Sequence, residues 1–518
     1  MAVQPNKTFK SFTERQSDTL LDGDYFVGYN ADGTQEIRAK VSEKRAREQS
    51  YFDGRYPQFD YLPMVNVAKA LPSLRWDGTD PNGTNLALVQ ALINSGKARY
   101  YFPRQPGGPL ALPGGVLTLP SNVEVYGDLP DFDRVNHVWS GGSVILGSIN
   151  TGLAAKNVFV HDLGIDNAPG TLTVNGGNGF VCNQKGFWNI RLVRLRTRAN
   201  DHNILIEQNG TSANGGAAMG GGVLVDDCWG FGGPNGLAIK AYDVLAQNCR
   251  MSDTTVQAFV AVSDNINGAA VYSRAEKVRF KDCGGTSNYN MFRVYSRDTR
   301  SLNNANGVQV AYFIRWEGGD LGDNGQIGAH VGDFSTQTSG GPVGTQTLLR
   351  NRNVRITGAK CNNNGQAGIQ VTWVDTMLVD FCDFENNGTV QTPTNQHFQV
   401  STSDTVRNFR IGRNNTFRLA AVGYESGIYT WPAGATSVVG DTGSVLYRTN
   451  NTVATTINSV TGVYSIPPAT EIKVQIMENF TTLAFAKDVN GATVTKTGKG
   501  TIQRALWDSV NSVWVDLG

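Results

Sequence analysis

Five acidic residues carry the most pointed chemistry in this chain. Glu317, Asp320, Asp282, Asp226 and Asp227 occupy matching places in a short segment that recurs along the sequence. Seven copies align without gaps over eight positions, starting at Val158, Ile190, Val223, Val278, Ile314, Val354 and Met377, with a looser copy at Val244. Glu317, Asp226 and Lys281 fall at position 4, Asp282 and Asp227 at position 5, Asp320 and Trp229 at position 7. Two carboxyl groups on neighbouring turns are what glycoside hydrolysis needs. A separation of about 5–5.5 Å suits retention and about 6.5–9.5 Å suits inversion. One partner acts as a general acid with a raised pKa, the other as base or nucleophile. Glu317 with Asp282 is the best pair by spacing, with Asp320 one bend further along. Trp229 is the aromatic best placed to stack on a sugar, beside Lys281 as a polar contact.

A second apolar run follows most copies and brings Arg293, Tyr295 and His330 onto adjacent turns. An arginine beside a tyrosine or histidine suits neutralising a uronate and removing its C5 proton. That is the chemistry of β-elimination, and it stands as the alternative to hydrolysis. A surface that binds a polysaccharide without cleaving it is the third reading.

The elements that position these residues follow from the repeat itself. Positions 1 and 3 are nearly always apolar, position 6 is Leu, Cys or small, and positions 2, 4, 5 and 7 are mixed or charged. That is a strand with period-2 alternation and one bend. Start-to-start spacings range from 21 to 40 residues, as expected of a solenoid with a constant strand core and variable loops. Asn- and Gly-rich turns recur between the runs, as at Asn362–Gly365 and Glu385–Gly388, where left-handed conformations are tolerated. The predicted fold is all-β, a right-handed parallel β-helix whose turns bury their inward residues against one another. Four of the six cysteines fall at position 6 and Cys361 at position 8, which predicts a buried column of small thiols.

Composition agrees. Gly is 60 of 518 residues and only 17% are charged, with 45 basic against 44 acidic side chains and a net charge of +1. Such balance argues against a nucleic-acid partner or a basic membrane-binding surface. No apolar run reaches the length of a membrane span, so no membrane insertion is expected. No secretory h-region is visible, and synthesis in a bacterial cytoplasm is expected. No Cys-x-x-Cys pair, nucleotide-binding loop or calcium-loop spacing occurs, so no metal and no cofactor are predicted.

Residues 1–60 read as a small N-terminal attachment region built on a hairpin over DGDYFVGYNADGTQEIRAKVS, with SEKRAREQSYF as a short helix. Residues 61–139 read as a link and entry cap, with LALVQALINSGKARYYFP as helix, Gly stop and strand. The coils occupy 140–435. Residues 436–518 read as a C-terminal β-sandwich-like domain.

The order DGTDPNGTN, amphipathic helix, RYYFP and VLTLPSNVEVYGD resembles the entry cap of pectate-lyase-like β-helix proteins. With DYFVGYNADGTQEIR before it and a β-rich module after it, the whole arrangement resembles bacteriophage tailspikes. That resemblance implies a homotrimer on the virion, with residues 436–518 serving trimerisation or carbohydrate binding. Its N-terminus would be held by a phage tail or baseplate protein, and its surface would bind and depolymerise a bacterial capsule or O-antigen. No catalytic motif transfers residue by residue.

Overall fold

The structure is a computed structural model. It describes residues 25–29, 36–40, 64–80, 83–96, 99–168, 177–183, 186–208, 220–265, 272–298, 310–332, 351–388, 397–400, 406–412, 414–418, 423–425, 428–431, 433–439, 446–461, 471–508 and 511–518. The chain divides into two compact units, Met1–Tyr61 and Leu62–Gly518. In the first, Tyr25–Tyr29 pairs antiparallel with Glu36–Lys40. The Ala-Asp-Gly turn and the helix expected over SEKRAREQSYF lie outside the described residues.

The second unit is a parallel β-helix. Its first sheet stacks twelve strands, among them Val123–Gly127, Lys156–His161, Trp188–Val193, Gly221–Asp226, Tyr242–Gln247, Glu276–Lys281, Tyr312–Glu317, Asn351–Thr357 and Val374–Asp380. Position 1 of the repeat is in direct register from turn to turn: Val158 with Ile190, then Val223, Val244, Val278, Ile314, Val354 and Met377. The looser Val244 copy is therefore a full turn. Each turn continues into a second face, exemplified by Arg196–Ala199, Trp229–Phe231 and Arg250–Ser252. It then enters a third, exemplified by Gln257–Asn265, Asn290–Asp298 and Ile327–Val331. The eight-residue segment thus spans two faces and the later apolar run is the third. Val144–Thr151 joins the second and third faces by running across both.

The bend between the first and second faces has a backbone cause. Position 5 carries Asp162, Arg194, Asp227, Asn248, Asp282, Gly318, Gly358 and Phe381, all with φ between 48° and 70°. Left-handed backbone is easiest for Gly and tolerable for Asn and Asp. A second left-handed column precedes position 1, at Asn157, Asn189, Gly222, Asp243, Lys277, Phe313 and Asn353. Asn189 Nδ2 donates to Asn157 Oδ1 at 2.8 Å, and Asn157 Nδ2 to Asn122 Oδ1 at 2.8 Å.

Positions 1 and 3 point inward and are buried, as are the five repeat cysteines, four at position 6 and Cys361 at position 8. Burial pushes the Cys228 thiol up to about 12, which suits a packing role and not a nucleophile. Midway along, Phe280 and Trp316 from the first sheet meet Phe259 and Phe292 from the third, with centroids 4.9–5.7 Å apart. Such contacts add about 0.5–1.5 kcal/mol each beyond area burial and make a rigid floor behind the turns above.

The entry cap places the short helix Thr84–Asn94 before Arg99–Phe102. A hairpin, Asp131–Asp133 with Val138–Ser140, lies over the second face. Trp139 Nε1 donates to Asp166 Oδ2 at 2.7 Å, the Phe132 ring sits 4.9 Å from Phe231, and Arg134 grips Asp253 and Thr286. At the C-terminal end a nine-stranded mixed sheet and a parallel pair, Ser437–Val439 with Ser459–Thr461, share one continuous buried core with the coils. No helix among the described residues is long and apolar enough to cross a membrane.

Candidate active site

Register brings Asp282, Glu317 and Asp320 to one corner of the helix. Lys281 pairs directly with Glu317, and the Asp282 N–H donates to the Glu317 carbonyl at 2.9 Å. Asp320 follows the bend on the same turn and bridges to Lys360 on the next. The left-handed column here reads Asp282, Gly318, Gly358, Phe381. Two consecutive glycines leave a trough in the surface where other turns carry a side chain. Its floor is Gly318 and Gly358, whose backbones stack within 3.5 Å of where a Gly358 Cβ would lie. Asp282 closes one end, leaning over Gly318, and Phe381 closes the other, three turns or about 14 Å away by strand spacing. Glu317 and Thr357 line the first-sheet side, Asp320 and Lys360 the second-face side.

The three carboxylates differ electrostatically. Burial pushes the Asp320 carboxyl above the usual carboxylate range, Asp323 adds to the shift, and the Gly322 N–H, Lys360 and Arg250 oppose it. Gly322 N donates to Asp320 Oδ1 at 2.7 Å. Asp282 is exposed and its carboxylate has no hydrogen-bond or ion-pair partner among the described residues. Arg250 Nη1 donates to its backbone carbonyl at 2.7 Å. Glu317 is drawn the other way, onto Arg279 at 2.6 Å and Arg315 at 3.8 Å. Spacing alone favoured Glu317 with Asp282; the side-chain partners favour Asp320 with Asp282. Their Cα atoms are on the order of 8 Å apart from one turn spacing and two residues of strand. Gly284 lies between Arg250 and Asp320 on its own turn, and its lack of a side chain keeps that approach open.

The other candidates lie elsewhere. Asp226 and Asp227 are two turns earlier. Asp226 accepts from Asn248 Nδ2 at 3.1 Å, and Asp227 accepts from Trp229 Nε1 at 3.0 Å. Trp229 is partly exposed, with the Arg196 guanidinium 4.1 Å over its ring, so that face is occupied. Arg293, Tyr295 and His330 do meet, on the third face. Arg293 pairs in register with His330 and stands 4.9 Å over the Tyr295 ring. Burial, with Arg293 adding to it, pushes His330 down to about 3. Its Nε2 is shut off from solvent with no hydrogen-bond partner. Among the described residues no cluster of three metal-binding side chains occurs.

Residues that the repeat analysis did not single out complete the corner: Gly318, Gly358, Phe381, Arg250, Lys360, Arg279 and Arg315. The available signal was that position 5 holds Gly in two adjacent copies and nowhere else in the repeat.

A second polar cluster sits at the start of the first sheet. His161 Nδ1 lies 2.7 Å from Asp162 Oδ2 and its Nε2 3.0 Å from Glu124 Oε1. Arg194 grips Asp162 with two bonds of 2.5 and 2.6 Å, and Arg99 Nε reaches Glu124 at 2.6 Å. Tyr126 and Phe159 stack on the imidazole at 5.0 and 4.3 Å. Burial opposes ionisation of Asp162, but bonds from Arg194 and His161 outweigh it and hold its pKa below the usual range.

No protein-family model and no curated protein matches the chain. Solved structures do. The A-module of the Azotobacter vinelandii mannuronan C-5 epimerase AlgE6 matches at 15% identity and TM-score 0.48, covering 77% of this chain and 95% of that one. PfbA, a surface adhesin of Streptococcus pneumoniae, matches at 11% and 0.40, covering 88% and 98%. The tailspike gp49 of Acinetobacter baumannii bacteriophage Fri1, a capsular polysaccharide depolymerase, matches at 12% and 0.39, covering 68% and 59%. The three differ in what they do, so the chemistry of this chain is left to its own residues.

Proposed function

We propose that this chain is a phage tailspike that binds and depolymerises a bacterial surface polysaccharide, capsule or O-antigen, by glycoside hydrolysis at the Asp282–Asp320 corner. The supporting observation is the pairing of a half-buried carboxyl of raised pKa with an exposed, unpartnered carboxylate across a side-chain-free trough. Asp320, protonated, donates to the glycosidic oxygen as the bond to the anomeric carbon breaks. Asp282 takes a proton from the attacking water. One water is consumed and a new reducing end forms. Glu317, tied to Arg279, lines the trough as a substrate contact, with Lys281 beside it. Assembly as a homotrimer, attachment to the tail through residues 1–60 and residence on the virion belong to the same proposal.

Elimination at the third-face trio stands as the second reading, on the register pairing of Arg293 with His330. Burial that pushes His330 down to about 3 and shuts its Nε2 off from solvent counts against it as the base.

Incubating the full chain with purified capsular polysaccharides and lipopolysaccharides decides between them. New reducing ends, lost in Asp320→Asn and Asp282→Asn and kept in His330→Gln, support hydrolysis at the corner. An unsaturated, ultraviolet-absorbing product lost in His330→Gln supports elimination. Binding without shorter products leaves a receptor-binding spike.

A further inference from the structure

We propose that Phe381 is a sugar-stacking subsite that closes the trough; this rests on the polysaccharide reading above. Two independent costs meet at this residue. Its backbone is left-handed at φ 56°, in a column otherwise filled by Asp, Asn, Gly and one Arg. A bulky side chain there is strained, and strain kept in a structure points to use. Its ring is also 65% exposed, a large apolar surface left in water.

The molecule offers an internal control. Phe313 is left-handed too, at φ 55°, but its ring packs against Tyr312 at 4.0 Å and is half-buried. Packing compensates Phe313, whereas nothing among the described residues covers Phe381. Its N–H donates to the Asp380 carboxylate at 3.0 Å, which pins the backbone at the bend.

The location supplies the use. Directly below Phe381 the column is Gly358 and then Gly318, over which the Asp282 carboxylate leans, so no side chain of the column stands between Phe381 and Asp282. Pyranose rings present a flat array of axial C–H groups. Such a face packs on an aromatic ring while its hydroxyls reach polar groups at the sides, here Thr357 and Lys360. The bound unit would lie along the helix axis, its neighbour directed at Asp320. The predicted ligand class is a pyranoside with one apolar face, held next to the cleaved bond.

The test uses the full chain on an array of purified bacterial capsular polysaccharides and O-antigens. The expected result is that Phe381→Gly binds the glycan recognised by the unaltered chain roughly tenfold more weakly. Its melting temperature should be unchanged or higher, because strain and exposed apolar surface are both removed. Phe381→Trp should retain binding and change its fluorescence as the glycan saturates. Full binding by Phe381→Gly, or a Phe381→Trp signal indifferent to glycan, overturns the subsite while leaving the depolymerase reading intact. Failure of the unaltered chain to bind any glycan on the array overturns both.

Discussion

Two polar corners on the same helix have opposite constructions. At the entry end, Glu124, His161, Asp162 and Arg194 satisfy one another and are sealed by Tyr126 and Phe159. Further along, Asp282 lacks a partner among the described residues, burial pushes the Asp320 carboxyl above the usual carboxylate range, and an aromatic ring stands in water. The first arrangement is what stability favours. The second carries unpaid costs, which is how binding and catalytic sites are distinguished from structural networks. The contrast arises from one substitution pattern. Position 5 is Asp162 and Arg194 at the sealed corner and Gly318 and Gly358 at the open one.

The largest expected effect breaks this contrast at the open corner. Asp320→Asn should lower depolymerisation by about 10²–10⁴-fold, the range for loss of a general acid, with the melting temperature held. Reducing-end assays and calorimetry read both. An equal loss from Asp162→Asn with an unchanged melting temperature would put the chemistry at the sealed corner instead.

Next is the aromatic floor. Trp316→Ala should cost about 3–5 kcal/mol of stability, measured by denaturant unfolding, and should lower activity only as the fold is lost.

The two corners should also respond oppositely to pH. Asp162 has a lowered pKa, so it stabilises the fold above its unfolded pKa and that stability is lost as pH falls through the folded value. Asp320 has a raised pKa, so its contribution is favourable at low pH and fades as pH rises from the unfolded to the folded value. Melting temperature against pH should therefore flatten on the acid side in Asp162→Asn. In Asp320→Asn it should sit level with or above the unaltered protein at neutral pH.

The smallest effect sharpens the role of Glu317. Arg279→Ala removes a half-exposed ion pair and should change stability by under about 1 kcal/mol. If Glu317 contacts substrate, the variant should raise KM and leave kcat near its original value.

Much of this was legible beforehand, because the fold imposes a strict rule on each position. Apolar residues at positions 1 and 3 gave the register of every copy from Val158 to Met377, and cysteine at position 6 gave the buried column. The three-faced cross-section was less legible. Six of the eight residues at the position-5 bend are Asp, Asn or Gly, the types that tolerate left-handed backbone, but Arg194 and Phe381 interrupt the pattern and mask it as a corner. The repeat register brings Asp282, Glu317 and Asp320 to one corner, but does not say which two act together. Glu317 and Asp320 sit on the same turn, and only the reach of Arg279 and the burial of Asp320 separate their roles. The sealed corner escaped notice because Glu124 precedes the first aligned copy. The segments that follow most third-face strands, such as 209–219 and 333–350, lie outside the described residues.

The hairpin Asp131–Ser140 has a consequence for how the chain assembles. A solenoid ordinarily grows by adding each turn to the last, with only neighbours in touch. Arg134 instead reaches residues 119 and 152 positions downstream, Asp253 and Thr286. That stitch cannot close fully until five later windings exist, and once closed it ties early windings to late ones. Fraying from the front should therefore be resisted by the middle, and unfolding should be more all-or-none than nearest-neighbour stacking predicts.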